Sequence, residues 1–200
     1  MKSDRSLAAL KDRAERGLPE GFARQALTLA MRALDAAELR GRPADVSNAL
    51  AQVARCLKAL GAFGAAEDYL MQSLRWTVLV PGTDARVDLV CELSEVTCAI
   101  AEAAQAAGED DPQVMRNALE RARDHAFEAA SLAGQTSDAQ WEVKVLLRIS
   151  DVLERCGDHD DAATMQNRAI SLMGLNGDLA RAARDAGGEL PLAPGSTLLM

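Results

Sequence analysis

The side chains with the most distinctive chemistry in this chain are two histidines and four cysteines. A di-iron carboxylate site in a helical bundle needs Glu-x-x-His on two helices, but Ala122 stands three residues before His125 and Cys156 three before His159. Residues 156–161 (CGDHDD) form the one metal-like cluster, and without a second cluster it does not make a closed tetrahedral site. The sequence therefore predicts no metal, no cofactor and no catalytic residue.

The cysteines, Cys56, Cys91, Cys98 and Cys156, form no C-x-x-C pair and all lie in apolar stretches. Cys91 and Cys98 share one helical face and are more typical of a core than of a redox pair. The N-terminal segment becomes charged again at residues 11–13, so it lacks the apolar centre of a signal peptide. These features predict buried free thiols in a reducing cytoplasm.

Five acidic residues lie at spacings of 4, 4, 3 and 7, which places them along one side of a helix. They are Asp84, Asp88, Glu92, Glu95 and Glu102. The pattern fits either a solvated outer face or part of a binding surface, and the sequence leaves both open. The formal charge of −8 argues against nucleic acid as a partner.

The composition is typical of an all-α protein. Of 200 residues, 39 are Ala and 27 are Leu, both strong helix formers. Only 3% are aromatic, which argues against an all-β fold, and 48% are hydrophobic, which argues against disorder. No apolar run approaches the ~20 residues of a membrane-spanning helix. The excess of Arg over Lys, together with so much Ala, suggests a bacterial source.

Start and stop signals predict nine helices, at about 4–16, 19–41, 43–61, 63–80, 83–108, 112–134, 137–157, 158–174 and 176–187. Ser137 with Gln140 makes a capping box for the seventh, and Gly174 separates the last two. Short joints make consecutive helices antiparallel. Residues 1–188 are predicted as one domain. Residues 189–200 form an apolar, non-helical tail that is either a frayed terminus or a docking segment.

Two stretches match at a spacing of 96 residues. The first has Leu50, Val53, Ala54, Leu57, Gly61, Phe63, Ala66, Leu70 and Ser73; the second has Leu146, Ile149, Ser150, Leu153, Gly157, His159, Ala162, Gln166 and Ala169. A small residue lets the second helix approach, and a glycine ends the first helix in a left-handed conformation. The pattern predicts two equivalent helix pairs.

The pattern resembles the tetratricopeptide repeat (TPR), a 34-residue helix-turn-helix unit. Weaker units surround Gly108, with Ala101 and Ala118, and Gly17. Leu70 and Gln166 stand where the family usually has an aromatic residue. The resemblance implies an all-α, right-handed α-α superhelix of eight or nine helices in antiparallel pairs. A plain up-and-down bundle shares the same apolar period and stays open.

In that family, the first helix of each pair lines a concave groove. The corresponding positions here are Asn48, Arg55, Lys58, Glu95, Glu102, Lys144, Asp151 and Glu154. The resemblance implies a non-enzymatic module that binds a protein or peptide partner. A chaperone-like holder of a secreted or aggregation-prone partner, or a regulatory, ligand-sensing domain, remains an alternative. Neither nucleic acid nor membrane is an expected partner, and homo-oligomers are left open.

Overall fold

Seven α-helices make up the secondary structure of the computed structural model, which describes residues 20–80, 82, 84–108, 112–136 and 138–186. They are α1 (Glu20–Arg40), α2 (Pro43–Ala59), α3 (Phe63–Thr77), α4 (Asp84–Ala107), α5 (Pro112–Ala133), α6 (Ala139–Arg155) and α7 (His159–Ala186). None of these helices is long and apolar enough to cross a membrane. The predicted helix at 4–16, its turn at Gly17 and the tail at 189–200 lie outside the described residues.

The helices pack mainly as consecutive pairs. The most extensive contacts join α2 to α3, α4 to α5 and α6 to α7, and smaller contacts join each pair to the next. In addition, α4 touches α6, so first helices of successive pairs are neighbours. This stacking confirms the expected all-α repeat, with seven helices among the described residues rather than eight or nine.

Gly61 and Gly157 occupy equivalent elbows, as the repeat predicts. Their φ angles, +74° and +84°, lie in the left-handed region that a Cβ atom disfavours. At both, the amide after the glycine bonds the carbonyl five residues earlier, as in a Schellman-type helix end. The two bonds are Ala62 N to Leu57 O, 3.0 Å, and Asp158 N to Leu153 O, 2.9 Å. The two pairs therefore turn through the same local structure.

Small residues set the close approach of the helices. Every buried side chain of α5 is alanine: Ala118, Ala122, Ala126, Ala129, Ala130 and Ala133. Their spacing of three and four residues keeps them on one face, which packs against the long central helix α4. The predicted contact residues Ala54, Ala66, Ser150 and Ala162 are also buried. Alanine stripes let helix axes approach near the short end of their usual ~8–10 Å separation.

Two local predictions were wrong. Gly174 does not end a helix; α7 continues to Ala186, because an interior glycine costs a helix only ~1 kcal/mol and needs no left-handed turn. The N-cap of α6 is Asp138, whose carboxylate accepts from the amides of Gln140 and Trp141 at 3.0 Å, instead of a Ser137–Gln140 capping box.

Three other predicted details concern residues or helix ends near the joints. Ser137 and Thr83, at the predicted starts of the seventh and fifth helices, lie outside the described residues. Helix α3 ends at Thr77, three residues before the predicted end. These details leave the helix pairing unchanged.

Candidate partner-binding groove

The first helices α2, α4 and α6 lie side by side and form what we call the groove face. Packing joins α4 to α6, and ion pairs join α2 to α4. The second helices follow the same order, since Arg121 on α5 contacts Glu67 on α3 at 3.3 Å. Successive pairs therefore stack in one direction, first helix beside first helix.

Two ion pairs join α2 to α4. The Arg55 guanidinium donates two hydrogen bonds to Glu92 Oε1, from Nη2 at 2.5 Å and from Nε at 2.8 Å. One helical turn further along both helices, Lys58 Nζ donates to Glu95 Oε2 at 2.5 Å. Each partner lies 37 residues from the other, so the two contacts have the same register.

Two further ion pairs join α4 to α6. Arg148 donates to Glu95 Oε1 from Nε at 3.0 Å and from Nη2 at 2.8 Å. Two turns along, Arg155 donates to both oxygens of Glu102 at 2.7 and 2.8 Å. We call the set of cross-helix charges the charge ladder: Arg55, Lys58, Asp88, Glu92, Glu95, Glu102, Arg148 and Arg155. Asp88 completes it at 3.4 Å from Arg148.

Glu95 is the centre of the charge ladder because it binds a cation on each side. Burial by itself would raise the pKa of Glu95, but the charges of Arg148 and Lys58 and their hydrogen bonds outweigh it, so the pKa is lowered. The pKa of Glu102 is also lowered, chiefly by its hydrogen bond from Arg155. Both carboxylates are therefore ionised and paired at neutral pH.

We call the five acidic residues Asp84, Asp88, Glu92, Glu95 and Glu102 the acidic stripe. It is neither a free acidic surface nor an outer face turned wholly to water. Four of its five members, all except Asp84, pair with cations of α2 or α6. These four carboxylates are neutralised by cations of the same chain. Sequence reasoning missed Arg148 and Arg155 as partners, although their seven-residue spacing matches that of Glu95 and Glu102.

The other predicted groove residues are solvent-exposed. Asn48 lies on α2 and Lys144 on α6, and both are exposed. Asp151 is 3.7 Å from Arg155, and Glu154 lies 3.1 Å from His159 Nδ1. The structure thus brings Arg55, Lys58, Glu95, Glu102 and Asp151 into or beside the charge ladder, and leaves Asn48, Lys144 and Glu154 outside it.

A partly open cavity of about 490 Å³ lies between α1, α2 and α4. Its apolar lining consists of Ala33, Ala37, Ala49, Ala51, Ala85 and Leu89. Its polar lining comes from Arg40, Asp45, Ser47, Asn48, Gln52, Arg55 and Asp88. The lining therefore includes the predicted groove residue Asn48 and two members of the charge ladder, Arg55 and Asp88.

No group of three or more His, Cys, Asp or Glu side chains within the described residues is arranged to hold a metal ion. His125 is half-buried, and burial lowers its pKa despite the neighbouring acids. Cys91 is buried in the core, and burial raises its pKa to about 12. Of these two groups, Cys91 is part of the packed core.

No protein-family model matches the chain, and no curated protein matches it. Among solved structures, it is similar to one described as "DHF58 filament", at 21% identity and a TM-score of 0.50, over 88% of this chain and 96% of that one. This likeness and the two equivalent elbows decide the fold. The fold is a TPR-like helical repeat.

Weaker similarities are to repeat proteins as well. The designed helical repeat protein DHR64 is 18% identical with a TM-score of 0.42, over 92% of this chain and 97% of that one. A Podosopora anserina protein with nearly identical TPR-like repeats is 13% identical with a TM-score of 0.39, over 86% and 96%. At these identities the similarity concerns the fold alone.

Proposed function

We propose that this TPR-like chain is a non-enzymatic, cytoplasmic interaction module that binds a protein or peptide on its groove face. The lining residues are those expected from the repeat: Asn48, Arg55, Lys58, Glu95, Glu102, Lys144, Asp151 and Glu154. The observation that carries the proposal is the side-by-side placement of α2, α4 and α6, which gives one continuous surface across three helix pairs. Such surfaces are what stacked repeats use for binding.

Within that surface, we assign different roles to two groups of residues. The charge ladder holds the first helices together, since its carboxylates already accept from cations on both sides. Partner contact falls to exposed groups outside it, such as Asn48 and Lys144. An amide side chain both donates and accepts, which suits the backbone of an extended peptide. The Lys144 ammonium, unpaired among the described residues, suits a partner carboxylate.

The test is selection of peptides from a random displayed library on the purified full chain. Peptides that bind the wild type are then measured against Asn48→Ala and Lys144→Glu. Each substitution removes a contact worth about 1 kcal/mol, so affinity is expected to fall roughly fivefold or more. Charge reversal at Glu95 is unsuitable here, because it would break the ladder and destabilise the fold.

Arg116→Glu is the matched control, because Arg116 is an exposed cation on the second helix α5. It makes the same charge change as Lys144→Glu away from the groove face. Equal loss of binding in both variants would point to a general charge effect and contradict the proposed surface. The proposal also fails if no peptide is enriched, or if selected peptides ignore both groove substitutions.

A ligand-sensing role is the second candidate, and the cavity beside Asn48 favours it. Its volume, about 490 Å³, lies within the range of small-molecule sites. Thermal unfolding against a metabolite panel tests this role, since a ligand at 100 times its Kd adds ~2.7 kcal/mol to stability. A shift that is lost in Gln52→Ala would support the sensor, and peptide binding without any shift would favour the interaction module.

A further inference from the structure

Cys98 and Cys156 are in contact across the joint between the second and third helix pairs. Their Sγ atoms are 4.0 Å apart, although the residues are 58 positions apart in the chain. Cys98 is fully buried on α4, in a small cluster with Ala122 and Val152. Cys156 packs against that cluster from the C-terminal end of α6 and is partly exposed. The contact arises from tertiary packing, and the sequence around neither cysteine signals it.

The two sulfurs differ in their surroundings. Cys156 is the C-cap residue of α6 and directly precedes the elbow glycine, so it lies at a helix end and not in a helix interior. Their shared hydrogen bond lowers the pKa of Cys156 and raises that of Cys98, and the guanidinium groups of Arg123 and Arg155 also favour the Cys156 thiolate. The exposed sulfur is thus the more nucleophilic member.

We propose that Cys98 and Cys156 form a reversible disulfide when the chain meets a peroxide, and that the bond fastens α4 to the end of α6. A disulfide needs the sulfurs at ~2.05 Å, so they must close by about 2 Å. Movement of the helix-end residue Cys156 supplies that approach. The inference does not depend on the groove having a partner.

The chemistry has two steps and balances with one peroxide. The Cys156 thiolate attacks hydrogen peroxide, the O–O bond breaks, and Cys156 becomes a sulfenic acid as hydroxide leaves. The Cys98 sulfur then attacks the sulfenic sulfur, forms the S–S bond and expels the second oxygen as water. Two thiols lose two electrons in total, and one peroxide is reduced to two waters. A small dithiol reverses the bond by exchange.

The other two cysteines serve as internal controls. Cys56 is buried between α1 and α2, and Cys91 is buried where α4 meets α6. Burial raises the pKa of both thiols. Neither is expected to react at peroxide levels that oxidise Cys156.

The test is disulfide mapping of the reduced, full-length chain after treatment with hydrogen peroxide and capping of free thiols with N-ethylmaleimide. A glutamate-specific protease is required, because cleavage after Glu92 and Glu95 separates Cys91 from Cys98. Mass spectrometry should find one cross-linked peptide pair, Cys98 to Cys156, with Cys56 and Cys91 capped. Dithiothreitol should abolish the cross-link.

Further measurements separate this bond from other oxidation. The thermal midpoint of the oxidised wild type should rise and return to its starting value on reduction. Cys156→Ser should abolish the cross-link, whereas Cys56→Ser should leave its yield unchanged. Intermolecular dimers, a different pairing, sulfinic acid at Cys156 without a cross-link, or an unchanged midpoint would overturn the proposal.

Discussion

The helix pairs α2/α3 and α6/α7 have the same elbow structure but differ in which neighbouring helices cover them. Leu70 on α3 is 1% exposed, whereas its equivalent on α7, Gln166, is solvent-exposed. One turn further on, Leu74 is half-buried, but its equivalent Ile170 is 60% exposed. The reason is position in the stack: α3 packs on α4, whereas α7 is the last helix of the described residues. The repeat therefore determines the structure of the turn, whereas the neighbouring helices determine whether the outward-facing side chains are buried.

The contact inside each pair shows the same rule. Ser47 and Ser73 bond each other's backbone, with Ser73 Oγ donating to the Ser47 carbonyl at 2.8 Å. At the equivalent places in α6/α7 stand Val143 and Ala169, both buried. A reciprocal pair of hydrogen bonds and an apolar contact thus fill equivalent positions. In both pairs these positions hold small or medium-sized side chains, which permit the two helices to approach closely.

The largest expected effect comes from exchanging the residues that differ most. Leu70→Gln buries an amide without partners and loses apolar packing, which should cost roughly 3 kcal/mol or more. The reverse change, Gln166→Leu, should stay within about 0.5 kcal/mol because the site is exposed. Urea unfolding measures both. Similar costs for the two variants would mean that the pairs are covered alike.

Within the charge ladder, Glu95 on α4 pairs with cations on both α2 and α6, whereas Glu102 on α4 pairs only with a cation on α6. Glu95→Gln removes two ion pairs at a side chain that is 21% exposed, and should cost about 2 kcal/mol. Glu102→Gln, at a site 48% exposed, should cost at most ~1 kcal/mol. Both isosteric changes are measured by urea unfolding at low salt. Equal costs would contradict the central position of Glu95.

The same carboxylates predict an acid-dependent loss of stability. The pKa values of Glu95 and Glu102 are lower in the folded chain than the ordinary 4.5. Their contribution is therefore complete above the ordinary pKa and is lost as pH falls through the lower folded value. Unfolding free energy should decline on acidification below about pH 5. The decline should be shallower in Glu95→Gln, and an unchanged slope in that variant would refute the assignment.

The two elbow glycines should behave alike. Gly61→Ala and Gly157→Ala each put a Cβ into a left-handed conformation, with no atom within 4 Å of it, so the cost is conformational. About 1–2 kcal/mol is expected at each site. Thermal unfolding of the two variants compares them directly. A cost at one site only would show that the elbows are not equivalent.

Substitution of Gly174 should give a small effect with the opposite sign. Nothing lies within 4 Å of an added Cβ, and the residue has helical backbone instead of a left-handed φ. Gly174→Ala should therefore stabilise the chain by about 0.5–1 kcal/mol. Calorimetry can resolve such a change. Destabilisation by Gly174→Ala would instead support the helix end that the sequence predicted at this position.

The regular parts of the fold were predictable because their signals are local. An apolar period of three to four residues defines each helix, and a left-handed conformation needs glycine wherever the chain turns, as at Gly61 and Gly157. Local signals also misled. Gly174 has the same residue type without the turn, and the cap of α6 is one residue later than the capping-box pattern placed it.

The candidate site was predictable only in part. Counting from the elbows selected Arg55, Lys58 and Glu95, and the structure has these residues in ion pairs between α2 and α4. The counting could not show that these charges satisfy each other. Nor could it find Arg148 and Arg155, since the register between α4 and α6 depends on how the pairs stack.

By itself, the sequence determined the helical class, the antiparallel pairs and their two equivalent elbows, because backbone preferences and apolar periodicity act within a few residues. Tertiary structure alone decided that the acidic stripe would be neutralised, that Gln166 would face water while Leu70 is buried, and that Cys98 would meet Cys156. The ion pairs and the cysteine contact join side chains 37 to 60 residues apart, whose relative positions follow from packing.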